Sequence, residues 1–334
     1  MKQDYPNLSK EVLCRLFGKT RHAYYDHLWR SQDKSLKDDI ILQEVMAIRK
    51  KLPRLGTRKL LAMLQPNLVS HGIKVGRYYL FELLGAYKLL IRQRKRKVFT
   101  TDSRHWMRKY SNLTRELVIT RPEQLWVSDI TYIRVQNYWG YLSLITDAYS
   151  RKIMGFCFRK DMSTQGCVIA LQMALANRMY PRWILIHHSD RGSQYCSSEY
   201  VALLLGEGIA ISMTESGDPY ENALAERMNG IIKGEFNLYE SQLNFEQVHQ
   251  QIVESIAAYN GIRPHGSCDY LTPNLAHLQI GMLKKRWKTY PKKMITDQLR
   301  RSIEEAGRLH SKSKPSPLLY GKQMNDLSLN KLDV

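Results

Sequence analysis

The chain has 334 residues and a net charge of +20, and 43% of its residues are hydrophobic. That hydrophobic content is ample for buried cores and excludes a disordered polymer, while the length favours two or three domains. No run approaches the roughly 18–20 apolar residues of a membrane span, and the N-terminus lacks a secretory signal. The five scattered cysteines form no CxxC motif. We therefore expect a cytoplasmic protein with reduced thiols and no membrane partner.

The charge is divided unevenly along the chain. Residues 1–114 carry a net charge of +16, residues 115–280 carry −4 and residues 281–334 carry +8. Basic arms attract a polyanion through counterion release and long-range steering. A centre with surplus carboxylates suits a divalent-metal site. This distribution favours nucleic-acid binding, although a soluble basic protein without such a partner has the same overall composition.

Residues 1–98 are predicted to form a helical DNA-binding region. Two short helices at 8–17 and 21–30, joined by the turn Gly18-Lys19-Thr20, have the pattern of a helix-turn-helix. A longer helix is predicted at about 37–51. Further apolar stripes at 60–64 and 75–90 predict two more helices, which could form a second helix-turn-helix or an ordinary helical bundle.

A basic linker follows these helices, with five cations between residues 92 and 97. Such a charge run either stays solvated or lies on phosphates. The linker cations predicted to contact DNA are Arg94, Lys95, Arg96 and Lys97.

The pattern changes to strands from residue 126. The segments WVSDITYIRV, YLSLITDAYSR and KIMGFCFRK predict three consecutive antiparallel strands. Helices and strands then alternate, which predicts an α/β mixed sheet with helices on its faces over residues 115–280. The predicted elements are a helix at 163–179, a strand at 183–190, a helix at 197–206, the strand IAISMT and helices at 219–238 and 244–260. The basic tail, 281–334, is predicted to hold a helix near 294–309.

Three carboxylates occupy positions that point to chemistry. Asp129 lies inside an apolar strand, where an acidic side chain needs a partner or a metal. Asp190 closes another apolar strand, and such strand ends commonly face a ligand crevice in α/β sheets. Glu226 lies on the helix predicted to start at the N-cap Asp218. As single residues, these three could equally mark a bulge, a turn and a surface position.

One face of the Glu226 helix is predicted to combine a carboxylate with two amides and a cation, which suits a metal and a phosphate better than solvent. Pro219 would occupy the first helical position and Glu221 would complete a capping box. The face, spaced at i, i+4, i+7 and i+11, consists of Asn222, Glu226, Asn229 and Lys233.

Phosphoryl transfer in DNA needs an activated nucleophile and a stabilised leaving oxygen. Two metal ions about 3.5–4 Å apart, held by carboxylates, can supply both. Nearby polar residues are expected to play other parts. His187 and His188 are interpreted as neighbours of Asp190, and Asp147 as the cap of a turn with Ser150 and Arg151. The group after the last long helix is expected to pack that helix and its exit loop: Tyr259, Asn260, Arg263 and His265.

The chain resembles a known family over most of residues 35–280. It is similar to the OrfB-type insertion-sequence transposases of the DDE superfamily, which carry a retroviral-integrase catalytic core. LGTRKLLAMLQ and TTDSRH match before the core. The core matches are WVSDITYI, YLSLITDAYSRKIMGF, HHSDRGSQY, SGDPYENALAERMNGIIKGE and YNGIRPHGSCDYLTPNLAH.

The resemblance implies a ribonuclease H-like fold in which Asp129, Asp190 and Glu226 bind catalytic Mg²⁺ or Mn²⁺. Lys233, Asn222 and Asn229 are expected to lie against DNA. The implied reaction is cleavage at a transposon end followed by strand transfer, with double-stranded DNA as substrate and target. A homo-oligomer is expected because two ends must join one target, and an upstream helix-turn-helix protein could be a further partner. The expected location is the bacterial cytoplasm, at the nucleoid.

Three alternative functions remain open at this stage. A DNA-binding regulator derived from such a core is disfavoured because all three carboxylates are present. A nuclease of the same fold would cut without joining. An RNA-cleaving hydrolase is disfavoured because that class tends to use four carboxylates on a compact domain without DNA-binding arms.

Overall fold

The computed structural model describes residues 7–92, 105–215, 221–239 and 242–286, all within one compact unit, Met1–Trp287. The predicted linker contacts Arg94–Lys97 and the tail beyond residue 286 lie outside the described residues. The N-terminal helices are α1 (Lys10–Leu16), α2 (Arg21–Lys51), α3 (Thr57–Ser70) and α4 (Arg77–Ala86). The following elements are β1 (Leu125–Val135), β2 (Tyr138–Asp147), β3 (Ile153–Arg159), α5 (Thr164–Ala176), β4 (Ile186–Ser189), α6 (Ser193–Cys196), α7 (Ser198–Gly206), β5 (Ala210–Met213), α8 (Ala223–Glu235), α9 (Phe245–Gly261) and α10 (Pro273–Ala276).

The turn between the first two helices is confirmed, with Gly18 in the left-handed region at φ 61°. The prediction of separate helices at 21–30 and 37–51 is wrong, because α2 runs unbroken from Arg21 to Lys51. The intervening sequence contains neither glycine nor proline to end a helix. Lys37 also pairs with Asp33 one turn earlier, with Nζ and Oδ2 2.5 Å apart, which favours continued helix.

The N-terminal helices bury a continuous apolar stripe. Ile41 and Val45 of α2 share a core with Leu60 and Leu64 of α3 and with Leu80 of α4. We call α3, α4 and the second half of α2 the N-terminal module. None of the helices among the described residues is both long and apolar enough to cross a bilayer.

The sheet has five strands in the order β3-β2-β1-β4-β5. The pairs β1–β2 and β2–β3 are antiparallel, whereas β1–β4 and β4–β5 are parallel. The predicted meander and the mixed sheet are therefore confirmed. Short connections suffice for the meander, while the parallel strands are reached through the crossover helices α5 and α7.

Side chains alternate between the two faces of this sheet. On one face, Trp126 and Ile145 pack with apolar residues of α5, α6 and α7. On the other, Ile133 and Leu142 share a core with α8, α9 and the N-terminal module. Asp129 is an even number of residues from Ile133, so it lies on the face covered by α8.

Candidate active site

The parallel pairing of β1 with β4 brings the two predicted aspartates together. In this register Val127 of β1 lies opposite His188 of β4. Asp129 follows Val127 by two residues within β1, and Asp190 follows His188 by two residues, directly after the end of β4, so the same register places them side by side. They share the sheet face covered by α8.

The Asp129 carboxylate accepts two hydrogen bonds. Asn229 Nδ2 donates to Oδ2 at 2.8 Å, and the Ile130 backbone N–H donates to Oδ1 at 2.9 Å. Burial, and after it the nearby charge of Asp190, raises the pKa of Asp129 to about 7, with a smaller contribution from Glu226, although these hydrogen bonds oppose the rise. The surroundings therefore disfavour a negative charge at Asp129 unless a cation is present.

The Asp190 side chain turns back onto the loop that follows β4. The Gly192 N–H donates to Asp190 Oδ1 at 3.0 Å. A Cβ at Gly192 would lie 3.0 Å from that same oxygen, so a larger residue would press on the carboxylate. His105 also supports this loop, with its Nε2 2.7 Å from the Arg191 carbonyl oxygen.

Helix α8 lies along β1 through the polar face predicted from the sequence. Asn222 Nδ2 donates to the Ser128 carbonyl at 3.1 Å, and Lys233 Nζ donates to the Tyr132 carbonyl at 3.4 Å. Glu226 lies between them on the helix, on the same face. This helix face therefore lies against β1, the strand that carries Asp129.

The predicted start of α8 is wrong. The helix begins at Ala223, with Asn222 as N-cap residue but without a side-chain cap hydrogen bond. The side chain of Glu221 contacts two residues outside the helix. It accepts a hydrogen bond from the Glu215 backbone N–H at 2.7 Å and pairs with Arg115. The predicted cap Asp218 and the following Pro219 lie outside the described residues.

The polar neighbours take the structural roles expected of them. His187 contacts Ser128 and Tyr200, with its Nε2 2.7 Å from Ser128 Oγ and 2.9 Å from the Tyr200 hydroxyl. His188 contacts Ser212 and the Glu221 carbonyl. Burial lowers the pKa of both histidines, that of His187 to about 3.

Asp147 and the residues at the end of the last long helix also have the structural roles predicted for them. Asp147 Oδ1 accepts hydrogen bonds from the Ser150 N–H and hydroxyl, each at 2.7 Å, so it caps the turn after β2. Asn260 pairs with both backbone groups of Ile153, and the buried Arg263 forms an ion pair with Glu235.

The oxygen atoms at this site suit a hard divalent cation as ligands. Among the described residues, no three His, Cys, Asp or Glu side chains converge closely enough to hold a metal ion. The chemistry nevertheless fits, because Asp129 and Asp190 present adjacent hard oxygens whose mutual repulsion a cation would relieve. In addition, the buried Asn229 Oδ1 has no hydrogen-bond partner within the part of the chain that the structure describes, so it could accept a hydrogen bond from a water bound to the metal.

Sequence reasoning missed two polar groups around the site. No sequence pattern pointed to His105 as a residue near the site, except that it lies in the matching segment TTDSRH. A sequence pattern did point to Glu235. It is an acidic residue in the last turn of α8, where the helix dipole disfavours a negative charge. It is stabilised there by Lys59 and Arg263.

Comparison with known families defines the class of the core. The integrase core domain family matches residues 119–219, which include Asp129 and Asp190. A second integrase core domain model matches residues 207–273, which include Glu226. The core is that of a DDE-type polynucleotidyl transferase.

Two relatives extend the similarity beyond the core. The insertion element IS600 uncharacterized 31 kDa protein of Shigella sonnei is 33% identical over 265 residues, covering 78% of this chain and 96% of that protein. The transposase for insertion sequence element IS629 of Shigella sonnei is 31% identical over 231 residues, covering 69% and 76%. The chain belongs to the insertion-sequence transposases with an integrase core, which carry out DNA transposition.

Among solved structures, the HTLV-2 integrase catalytic core domain in complex with magnesium is 20% identical. It covers 47% of this chain and 97% of that one, with a TM-score of 0.38.

Proposed function

We propose that Asp129, Asp190 and Glu226 together bind Mg²⁺ or Mn²⁺ and form the catalytic centre of transposition. The observation that carries this proposal is the geometry of β1, β4 and α8: the strand register places Asp190 beside Asp129, and Asn229 joins the helix of Glu226 to Asp129 at 2.8 Å. Burial at this place raises the pKa of Asp129 to about 7. Perturbed carboxylates of this kind mark functional sites. When bound, the metal would stabilise charge on the attacking and leaving oxygens.

In the proposed reaction, water first hydrolyses a phosphodiester at the transposon end and exposes a 3′-hydroxyl. That hydroxyl then attacks a target phosphodiester and displaces the 3′-oxygen of the target strand. Asn229 holds Asp129 in position through its 2.8 Å hydrogen bond. Lys233, on the same helix face, would contact phosphates close to the reacting one, and Asn222 would lie at the DNA-facing start of α8.

The remaining parts of the chain would bind and present DNA. The N-terminal module and the linker cations Arg94–Lys97 would hold the transposon end. Exposed Arg77 and Tyr78 at the start of α4 suit such contacts, since the Arg77 guanidinium lies 4.6 Å from the Tyr78 ring centre. A homo-oligomer would bring two ends to one target, with an upstream helix-turn-helix protein as a possible partner. The setting would be the bacterial nucleoid.

The test is a strand-transfer assay with a labelled duplex carrying the end of the element that encodes the chain. The assay contains Mg²⁺ or Mn²⁺ and compares the intact chain with Glu226→Gln. We expect joined products that need metal and that fall about 10³-fold in the variant. Glu199→Gln is the matched control, because Glu199 is also an exposed glutamate in the first turn of a core helix.

The other functions predict different outcomes. Metal-dependent cutting without joining would favour a nuclease of the same fold. Binding without chemistry in either protein would favour a DNA-binding regulator. Equal transfer by the intact chain and Glu226→Gln would remove Glu226 from the catalytic centre.

A further inference from the structure

The end of α8 is joined to the N-terminal module by a contact between residues 176 positions apart. Lys59 Nζ in the first turn of α3 donates to Glu235 Oε1 at 3.2 Å. The Arg54 backbone N–H, just before α3, donates to the Glu235 carbonyl at 3.0 Å. One residue of α8 therefore receives both a side-chain and a backbone contact from the module.

The same carboxylate also receives the segment that follows α9. Arg263 Nε and Nη2 donate to the two Glu235 oxygens, both at 2.7 Å. The Arg263 side chain is only 1% exposed, and its Nη1 lies 2.6 Å from His265 Nε2. Glu235 is thus the meeting point of the module, the helix that carries Glu226 and the chain after α9.

The Arg263 pair alone would satisfy the Glu235 carboxylate, so the Lys59 contact is not needed to neutralise it. Placing the Lys59 ammonium group at this partly buried position has an energetic cost. Burial, together with the neighbouring Arg263 charge, lowers its pKa to about 8, although the contact with Glu235 opposes this shift. Its contact with Glu235 therefore fixes the position of the N-terminal module relative to the core, and this costs partial desolvation of the Lys59 ammonium group.

Helix α8 itself needs no help from Lys59 to stay in place. It is already held on β1 by Asn222, Asn229 and Lys233. What the Lys59–Glu235 contact adds is the orientation of the N-terminal module relative to α8. A misplacement of about 1 Å at a reacting group can cost on the order of 10²-fold in rate.

We propose that Lys59 and Glu235 are positioning residues that set where the N-terminal module presents the bound DNA end to Asp129, Asp190 and Glu226. The inference rests on the function proposed above. Neither residue touches the reacting atoms, and their effect is on the place and rate of cutting rather than on affinity for the end.

The test uses the full chain with a duplex oligonucleotide carrying the element end, at saturating concentration, in single-turnover reactions. The variants are Lys59→Met, which keeps the aliphatic stem, and Lys59→Arg, which keeps the cation. Lys160→Met is the matched control, because Lys160 is an exposed lysine directly after β3 and lies outside the N-terminal module. End affinity, nicking rate and nick position at nucleotide resolution are measured for each.

We expect Lys59→Met to bind the end within about twofold of the intact chain but to nick about tenfold more slowly. Its nicks should spread to neighbouring phosphodiesters, a change that loss of stability alone would not cause. Lys59→Arg and Lys160→Met should both keep a single nick position. Lys59→Met combined with Glu235→Gln should be no slower than the slower single variant, because both remove one contact.

A single nick position and an intact rate in Lys59→Met would overturn the inference. So would a rate deficit that disappears at higher DNA concentration, because Lys59 would then be a DNA contact. If Glu235→Gln fails to fold because it leaves Arg263 unpaired, Lys59→Met decides alone, since it preserves the Arg263–Glu235 pair. Glu226→Gln in the same assay separates the failures, because activity there would overturn the proposed catalytic centre instead.

Discussion

Two groups of carboxylates lie at different points of the same sheet and have opposite surroundings. The first, which we call the closed network, consists of Glu123, Asp147, Ser150 and His277. Glu123 accepts hydrogen bonds from the Met179 and Tyr180 N–H groups at 2.6 and 2.9 Å. His277 lies between the acids, with Nε2 3.3 Å from Glu123 Oε1 and Nδ1 3.7 Å from Asp147 Oδ1.

The charges of the closed network are matched within the chain. Burial alone would raise the pKa of Glu123, but hydrogen bonds from His277, Met179 and Tyr180 outweigh it and lower the pKa. The second group consists of Asp129, Asp190 and Glu226. In this group, by contrast, burial and the neighbouring Asp190 raise the pKa of Asp129 to about 7. The carboxylates of the closed network therefore have enough hydrogen-bond donors, whereas those of the second group lack positive charge to balance them.

The difference teaches how to separate structural acids from functional ones. A buried carboxylate surrounded by N–H groups, hydroxyls and a histidine stabilises the fold and has no need of a ligand. A pair of adjacent carboxylates with few donors is costly unless a cation joins them. The predictions below follow from that difference.

The largest expected effect separates Asp190 from Asp147. Asp190→Asn should reduce strand transfer about 10³-fold and leave the folded chain intact, because it removes an oxygen that is proposed to bind metal but removes no packing. Asp147→Asn should keep most transfer activity at low temperature, because Asp147 serves the turn at Ser150. Both variants are compared in the strand-transfer assay at equal folded concentration. Equal activity losses would contradict the distinction between the two sites.

Glu123→Gln should destabilise the fold by about 3 kcal/mol, because it breaks a buried charged network. Urea denaturation at pH 7 measures the free energy of unfolding, and Glu116→Gln provides the control at an exposed glutamate. An unchanged midpoint would mean that the network contributes little to stability.

Asp129→Asn should stabilise the metal-free chain at pH 8 by about 1 kcal/mol, a reduced value because Asp129 is only half-buried. The folded pKa of about 7 exceeds the usual 3.8, so the folded state holds more protons between these values. Stability of the intact chain therefore falls as pH rises through this window. Thermal unfolding in EDTA, Mg²⁺ and Mn²⁺ checks this, and metal should raise the Tm of the intact chain only. A metal-dependent rise in the variant would argue against Asp129 as a ligand.

The smallest effect concerns His277. Burial lowers its pKa, but hydrogen bonds to Asp147 and Glu123 raise it above the ordinary value. A raised histidine pKa gives stability that is complete below pH 6.5 and is lost as pH rises through the folded value. The stability difference between the intact chain and His277→Gln should therefore shrink from pH 6 to pH 9. A difference that stays constant over this range would mean that His277 is neutral in the fold.

Much of the core could be predicted from local sequence patterns. Alternating β-branched residues predicted β1, β2 and β3, and the spacing of four polar residues predicted the face of α8 that meets β1. Boundaries were less certain. The N-terminal helices were divided at a place where no residue ends a helix. Helix α8 starts at Ala223, later than its capping pattern indicated.

The sequence by itself determined which residue types stand at strand ends and helix faces, because periodicity and caps are local properties of the chain. Only the tertiary structure decided that β4 inserts beside β1, so that Asp190 lies next to Asp129 while Asp147 faces His277. It also decided that Lys59 reaches Glu235 across the fold. Such contacts join segments far apart in the chain, and their energies depend on burial and on neighbouring charges that no local pattern contains.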